Sequence, residues 1–258
     1  MPELPDLQAF SHNLNRRVKG KTVKEVTVAK GARVNVSAGR LKKAVEKQTL
    51  QAVRREGKEL YLEFGDDTIL SLHLMLHGAL HFPDSTQHRH MILQLDFDDG
   101  TALTLTDYRR MATLTLNPEP PEAPDALSSA VSTRFLKEQL AAKRTTIKSF
   151  LTDQHIIRGI GNAYADEILW DARISPFSIC NKIPAAKISV LARAIKDVLK
   201  QAEKQILKAH PDIISGETRD FLSVHNPAHR KSPSGAVIRT KVSGARKTYY
   251  TDEQELFQ

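Results

Sequence analysis

Two residues at the very start of the chain could together make a covalent catalyst. The sequence opens Met1-Pro2-Glu3-Leu4-Pro5-Asp6, so loss of the initiator methionine would leave Pro2 as a secondary amine with a carboxylate on the next residue. An α-amine titrates near about 8, against about 10.4 for a lysine, and so keeps a reactive neutral fraction at physiological pH. Secondary amines attack a sugar C1′ or a carbonyl carbon to give iminium intermediates, and Glu3 could move the protons that such steps require. If Met1 is retained, the Pro2 nitrogen is an amide and is no nucleophile.

The elements that must position this pair can be read from periodicity. Leu7, Phe10, Leu14 and Val18 recur at helical spacing, and Gly20 suits the position just past a helix end. The positive end of that helix would lie beside Pro2 and lower its pKa. From there to about Leu116, the segments KTVKEVTVAK, ELYLEF, TILSLHLML, MILQLDF, TALTLTD and ATLTL read as strands, punctuated by Gly65-Asp66-Asp67 and Asp98-Asp99-Gly100. Residues 1–116 are therefore expected to be a β-sandwich with a leading helix.

Residues 117–131, rich in proline, alanine and acid and without periodicity, read as a linker. The period then becomes helical over 132–222, where Ile188, Leu191, Ile195, Val198, Leu199, Ala202 and Ile206 make a core-facing stripe and Pro184 fits a first turn. Residues 223–258 end in GAVIRTKVSGARKTYYT, a β-hairpin turning at Ser243-Gly244. The fold class is α+β.

Composition narrows the partners. The 38 Lys+Arg against 30 Asp+Glu give a net charge of +8, which favours a polyanion. The single cysteine, Cys180, excludes an internal disulfide and any multi-cysteine zinc site. Without a basic, apolar leader or an apolar run of about 20 residues, a soluble, untargeted cytoplasmic protein is expected.

A second block is Ile157-Arg-Gly-Ile-Gly-Asn-Ala-Tyr-Ala-Asp-Glu-Ile-Leu169, in which two glycines and Asn162 open a helix, a geometry that lets backbone amides approach a phosphate. The MPELPD start, the GIGNAYADEIL block and the basic terminal hairpin, in that order, resemble the formamidopyrimidine-DNA glycosylase/endonuclease VIII family over nearly the whole chain. The resemblance implies Pro2 as nucleophile and Glu3 as acid/base. It implies Lys58, in RREGKELYL, as a lysine that contacts phosphate and assists the chemistry. It implies His73, Asn162 and Arg246 as phosphate contacts from both domains. A helix-two-turn-helix module is expected from about Ile147 to Leu169.

Enzymes that act on a base inside a duplex extrude it and fill the hole with apolar wedges and a polar side chain. The family's positions for these match Leu76, Arg109 and Met111, with DYRRMA here where DPRRFG is usual. The expected partner is damaged double-stranded DNA, bound by a monomer.

Two departures from the family shape the expectation further. Most bacterial members close the hairpin with four cysteines on zinc; the matching positions here are Lys231, Ser234, Thr251 and Gln254, so a zincless finger without metal or other cofactor is expected. His225 and His229 are expected to face phosphate or solvent. The segment Leu222–Ser234 is also too short for the loop with which 8-oxoguanine-excising members cover the flipped base. The expected activity is a bifunctional glycosylase/lyase acting on formamidopyrimidines, oxidised pyrimidines or abasic sites. A silent family member that binds abasic, bent or branched DNA is the rival reading, with an RNA-binding protein behind it.

Overall fold

The first helix, α1, spans Leu4–Val18 in a computed structural model that describes residues 1–65, 67–83, 88–244 and 246–258. Asp6 starts it by accepting the Glu3 backbone N–H at 2.8 Å, satisfying a donor that helix geometry leaves without a partner. At the other end Gly20 takes φ +84 just past the Lys19 cap and donates its N–H to the Leu50 carbonyl at 2.8 Å. Leu7, Phe10, Leu14 and Val18 are all buried, as their spacing predicts.

The chain divides into two compact units, residues 1–120 with 206–217, and residues 121–205 with 218–258. In the first, α1 is followed by β1 (Val23–Val28), β2 (Arg33–Val34), α2 (Ala38–Val45), β3 (Leu50–Glu56), β4 (Glu59–Phe64), β5 (Ile69–His73), β6 (Ala79–His81), β7 (Met91–Phe97), β8 (Ala102–Thr106) and β9 (Thr113–Leu116). These strands form a four-stranded sheet in the order β1-β7-β8-β6 and a five-stranded sheet in the order β2-β9-β5-β4-β3. Val26, Leu93 and Leu105 from one sheet and Leu60, Leu62 and Leu72 from the other share one core with α1. Asp66, in one of the expected turns, lies outside the described residues.

Four elements of this unit, α2, β2, β3 and β6, lie outside the segments expected from the sequence. The helix is only eight residues long, capped by Ser37 with Leu41 and Val45 inward. The strand LQAVRRE has a broken alternation because its register shifts between Leu50 and Ala52. The segment 206–217, expected in the helical domain, groups with the first unit: Asn13 donates to the Ile213 carbonyl at 2.8 Å, and Ile213 and Ile214 pack on the core.

The second unit holds α3 (Thr133–Ala141), α4 (Ile147–Thr152), α5 (Asn162–Asp171), α6 (Ala185–Ala209) as far as Gln205, and the antiparallel pair β10 (Arg239–Ser243) and β11 (Arg246–Tyr250). Part of the expected linker 117–131 is fastened into this unit. Ala126 and Val131 are buried, the Arg158 side chain donates to the Ala123 carbonyl at 2.7 Å, and the Lys196 ammonium donates to the Ala126 and Ser128 carbonyls, each at 2.5 Å. The stretch lacks periodicity because its bonds run to distant side chains instead of along an element.

Candidate active site and nucleic-acid interface

Pro2 sits immediately before the N-cap of α1, where the helix presents its positive end. Pro2 and Glu3 are both buried, and the Met1 amine pairs with the Glu217 carboxylate. One guanidinium ties the hairpin of β3 and β4 to this terminus. Arg55 donates from Nε to Gln8 of α1 at 2.8 Å and from Nη1 to the Gly57 carbonyl at 3.1 Å, so the turn that carries Lys58 is linked to the first turns of α1.

His73 ends β5. Burial holds its pKa below the usual imidazole value; the neighbouring Lys58 adds to that, while Glu59 opposes it. Its Nδ1 accepts the Met75 N–H at 3.1 Å, so a neutral ring carries its proton on Nε2. The ring can therefore donate one hydrogen bond without carrying a charge.

The loop after His73 turns tightly. Gly78 donates its N–H to the Leu74 carbonyl at 2.8 Å, and a Cβ on Gly78 would stand 2.3 Å from that same oxygen. Leu74 is buried beneath the loop while Leu76 is 58% exposed, which sets aside core packing as its role. A second loop, residues 107–112, is shaped by Asp107, whose carboxylate accepts the N–H groups of Arg109 (2.8 Å), Met111 (2.7 Å) and Ala112 (2.8 Å). Burial pushes the Asp107 pKa up, but the three N–H donors outweigh it and the net shift is downward. Arg109 is exposed, and Met111 is half-buried with its Sδ 3.2 Å from the Arg33 guanidinium.

In the second unit a cleft of about 490 Å³ brings Asn162 and Arg246 together with Lys148, Lys241, Thr146 and Ser149. Among the described residues its lining holds cations and hydroxyls and no carboxylate. Gly161 caps α5 without a side chain, which keeps the helix start narrow. Asn162 donates from Nδ2 to the Lys247 carbonyl at 3.0 Å, so part of its donor capacity is spent on the hairpin.

Lys148 and Lys241 were not singled out from the sequence. Each is an isolated lysine there, and only the fold brings it to the cleft.

Buried Asp166 fastens the hairpin to α5. It pairs with Lys148 at 2.6 Å and accepts from the His225 ring at 2.7 Å and the Tyr249 N–H at 2.9 Å. His225 is therefore half-buried against Asp166 and the Tyr249 ring, contrary to the expectation that it faces phosphate or solvent; His229 is exposed. Glu167 accepts the N–H groups of Ser223, Val224 and His225 at 2.8, 2.8 and 2.7 Å, while burial raises its pKa.

The positions that match zinc ligands make a polar cluster. Ser234 donates to Glu253 at 2.7 Å, Thr251 donates to the same oxygen at 3.2 Å, and Arg173 pairs with it at 3.0 Å. Gln254 accepts the Thr251 N–H at 2.8 Å and donates to the Ile174 carbonyl at 2.9 Å, and Lys231 bridges to Val237. No group of three or more His, Cys, Asp or Glu among the described residues could hold a metal ion.

A two-sheet unit led by Pro-Glu and a helical unit closed by a cationic hairpin are the architecture of helix-two-turn-helix DNA glycosylases. Residues 1–114 match the formamidopyrimidine-DNA glycosylase N-terminal domain, and residues 123–209 match the formamidopyrimidine-DNA glycosylase H2TH domain. The chain is 30% identical to the formamidopyrimidine-DNA glycosylase of Lactobacillus gasseri, with all of both chains covered, and 31% identical to that of Desulforamulus reducens, with 97% of each covered. The Lactococcus lactis Fpg in complex with abasic-site DNA superposes with a TM-score of 0.85 at 25% identity, covering 97% of this chain and 98% of that one. The same protein with DNA containing an oxidised pyrimidine gives 0.86 at 27% identity, again over 97% and 98%. This chain belongs to the formamidopyrimidine-DNA glycosylase/endonuclease VIII family, a family of DNA glycosylases in base excision repair. No helix among the described residues is long and apolar enough to cross a membrane.

Proposed function

We propose that this chain is a bifunctional DNA glycosylase and abasic-site lyase that uses Pro2 as nucleophile. The observation that carries the reading is the Pro2-Glu3 pair at the positive end of α1, with the Lys58 turn linked to that end through Arg55. Once Met1 is removed, the Pro2 nitrogen attacks C1′ of the damaged nucleotide and the base leaves with the electrons of its glycosidic bond; the nitrogen then gives up its proton, and the C1′–O4′ bond breaks, with O4′ taking up a proton, as the iminium forms. Glu3 relays the protons, and elimination then expels the 3′ phosphate. Lys58, His73, Asn162 and Arg246 contact the DNA backbone, and Leu76, Arg109 and Met111 fill the space left by the extruded base.

The substrates are formamidopyrimidines, oxidised pyrimidines and abasic sites in preference to 8-oxoguanine. Supporting this, residues 223–225 give all three of their N–H groups to Glu167, so the short segment after Leu222 is pinned to α5 and has little chain left to cover a flipped purine. Excision of 8-oxoguanine as fast as a formamidopyrimidine would overturn that preference.

Borohydride trapping on a duplex with one abasic site, with mass mapping of the adduct, tests the mechanism. The expected adduct lies on the Pro2 peptide and disappears in Glu3→Gln. The rival reading, a silent binder of abasic, bent or branched DNA, follows if Met1 is retained, because the Pro2 nitrogen is then an amide. An intact mass that includes Met1, together with tight lesion binding and no adduct, would establish that rival.

A further inference from the structure

The two loops assigned to void filling are joined at their tips by a pair of rings. His77 follows Leu76, Tyr108 precedes Arg109, and their ring centroids lie 4.6 Å apart at 46°, with the Tyr108 hydroxyl 3.3 Å from His77 Nε2. Tyr108 is nevertheless 60% exposed, as far out as Leu76 at 58%. The backbone under this exposed ring is held from below: Asp107 is buried and ties the loop through three N–H groups. Two exposed cations, Arg109 and Arg110, follow it in the chain, and Arg110 donates to the Lys30 carbonyl at 2.9 Å. An exposed aromatic face in a loop that carries cations is an arrangement on which single nucleobases stack. Tyrosine stands at the position where DPRRFG places proline, which has no such face.

We propose that Tyr108, braced by His77, is a base-stacking residue that engages a nucleobase beside the lesion and so adds to the recognition supplied by Leu76, Arg109 and Met111. The inference rests on the reading of the chain as a damaged-DNA glycosylase. Its ligand is a base exposed by the kinked, opened duplex, and because every base has a π-face the contact strengthens lesion binding with little base preference of its own. His77 acts as a positioning residue: its ring fixes the plane of Tyr108 and couples the two loops.

The test uses the full-length protein and a duplex with a tetrahydrofuran abasic analogue, carrying 2-aminopurine in turn opposite and beside it. The wild type is expected to quench at least one of these positions. Tyr108→Ala should abolish that quenching and weaken lesion binding roughly ten- to a hundredfold, with undamaged duplex bound as before. Tyr108→Phe should restore both, since it keeps the face and loses only the hydroxyl contact. Lesion preference in the wild type with unchanged affinity and quenching in Tyr108→Ala overturns the inference and leaves the functional reading standing. A wild type that does not prefer the lesion duplex at all overturns both.

Discussion

The Lys148 ammonium and the Asp166 carboxylate lie 2.6 Å apart, with Asp166 fully excluded from solvent. The same carboxylate holds the Tyr249 backbone and the His225 ring, so one buried charge ties α4, α5, β11 and the segment around His225 together. Asp166→Ala leaves Lys148 without its anion and the Tyr249 N–H without its acceptor. The expected cost is about 3–5 kcal/mol of stability, read by urea denaturation. A loss within about 0.5 kcal/mol, the range of ordinary surface changes, would show that the hairpin does not depend on this charge.

Asp107 should hold its loop across the whole working range of pH. Its folded pKa lies below the usual value of 3.8, so the stabilisation is present above that value and fades only as pH falls through the lower folded pKa. Asp107→Asn is expected to cost about 1–3 kcal/mol near neutrality, and the gap from the wild type should close in strong acid. Melting temperatures of both proteins from pH 2 to pH 8 measure this.

His73 has the opposite consequence in acid. Its folded pKa lies below 6.5, so as pH drops beneath that value the unfolded chain binds a proton that the folded chain refuses, and stability falls. Above about pH 7 both states are neutral and the effect is absent. An imidazole NMR titration of the folded protein should give a midpoint under 6.5; one above it would mean that Glu59 outweighs burial and Lys58.

Arg246 lies in the cleft with Lys148 and Lys241. If each meets a phosphate, Arg246→Ala should weaken binding to damaged and undamaged duplexes alike and lower the slope of log K against log salt by about one. Anisotropy titrations at several salt concentrations give the slope, and an unchanged value removes Arg246 from the phosphate contacts.

Local signals in the sequence carried much of this far. The spacing of Leu7, Phe10, Leu14 and Val18 foretold α1, and Ser243-Gly244 marked the terminal hairpin, because each pattern involves neighbours in the chain. What stayed hidden depends on partners far apart in sequence. Asp166 meets Tyr249 83 residues later, His77 meets Tyr108 across 31, and Lys148 meets Thr248 across 100. The polar strand β3 was missed because its register shift breaks the alternation that strands are recognised by. The chemistry of Pro2 and Glu3 and the helix start at Asn162 could be read from the residues themselves, but the roles of Lys58, His73 and Arg246 could be drawn only from family resemblance, since no spacing makes Lys58 or Arg246 unlike other cations.

The polar cluster at Glu253 has a chemical consequence. Two hydroxyls, an amide and an ammonium stand at the positions that match zinc ligands, the Arg173 guanidinium joins the hydroxyls at Glu253, and the chain's sole thiol, Cys180, is buried elsewhere with its pKa pushed up by that burial. Peroxide finds no thiolate at those four positions to oxidise. The fastening of this finger therefore does not rest on a group that such oxidants attack.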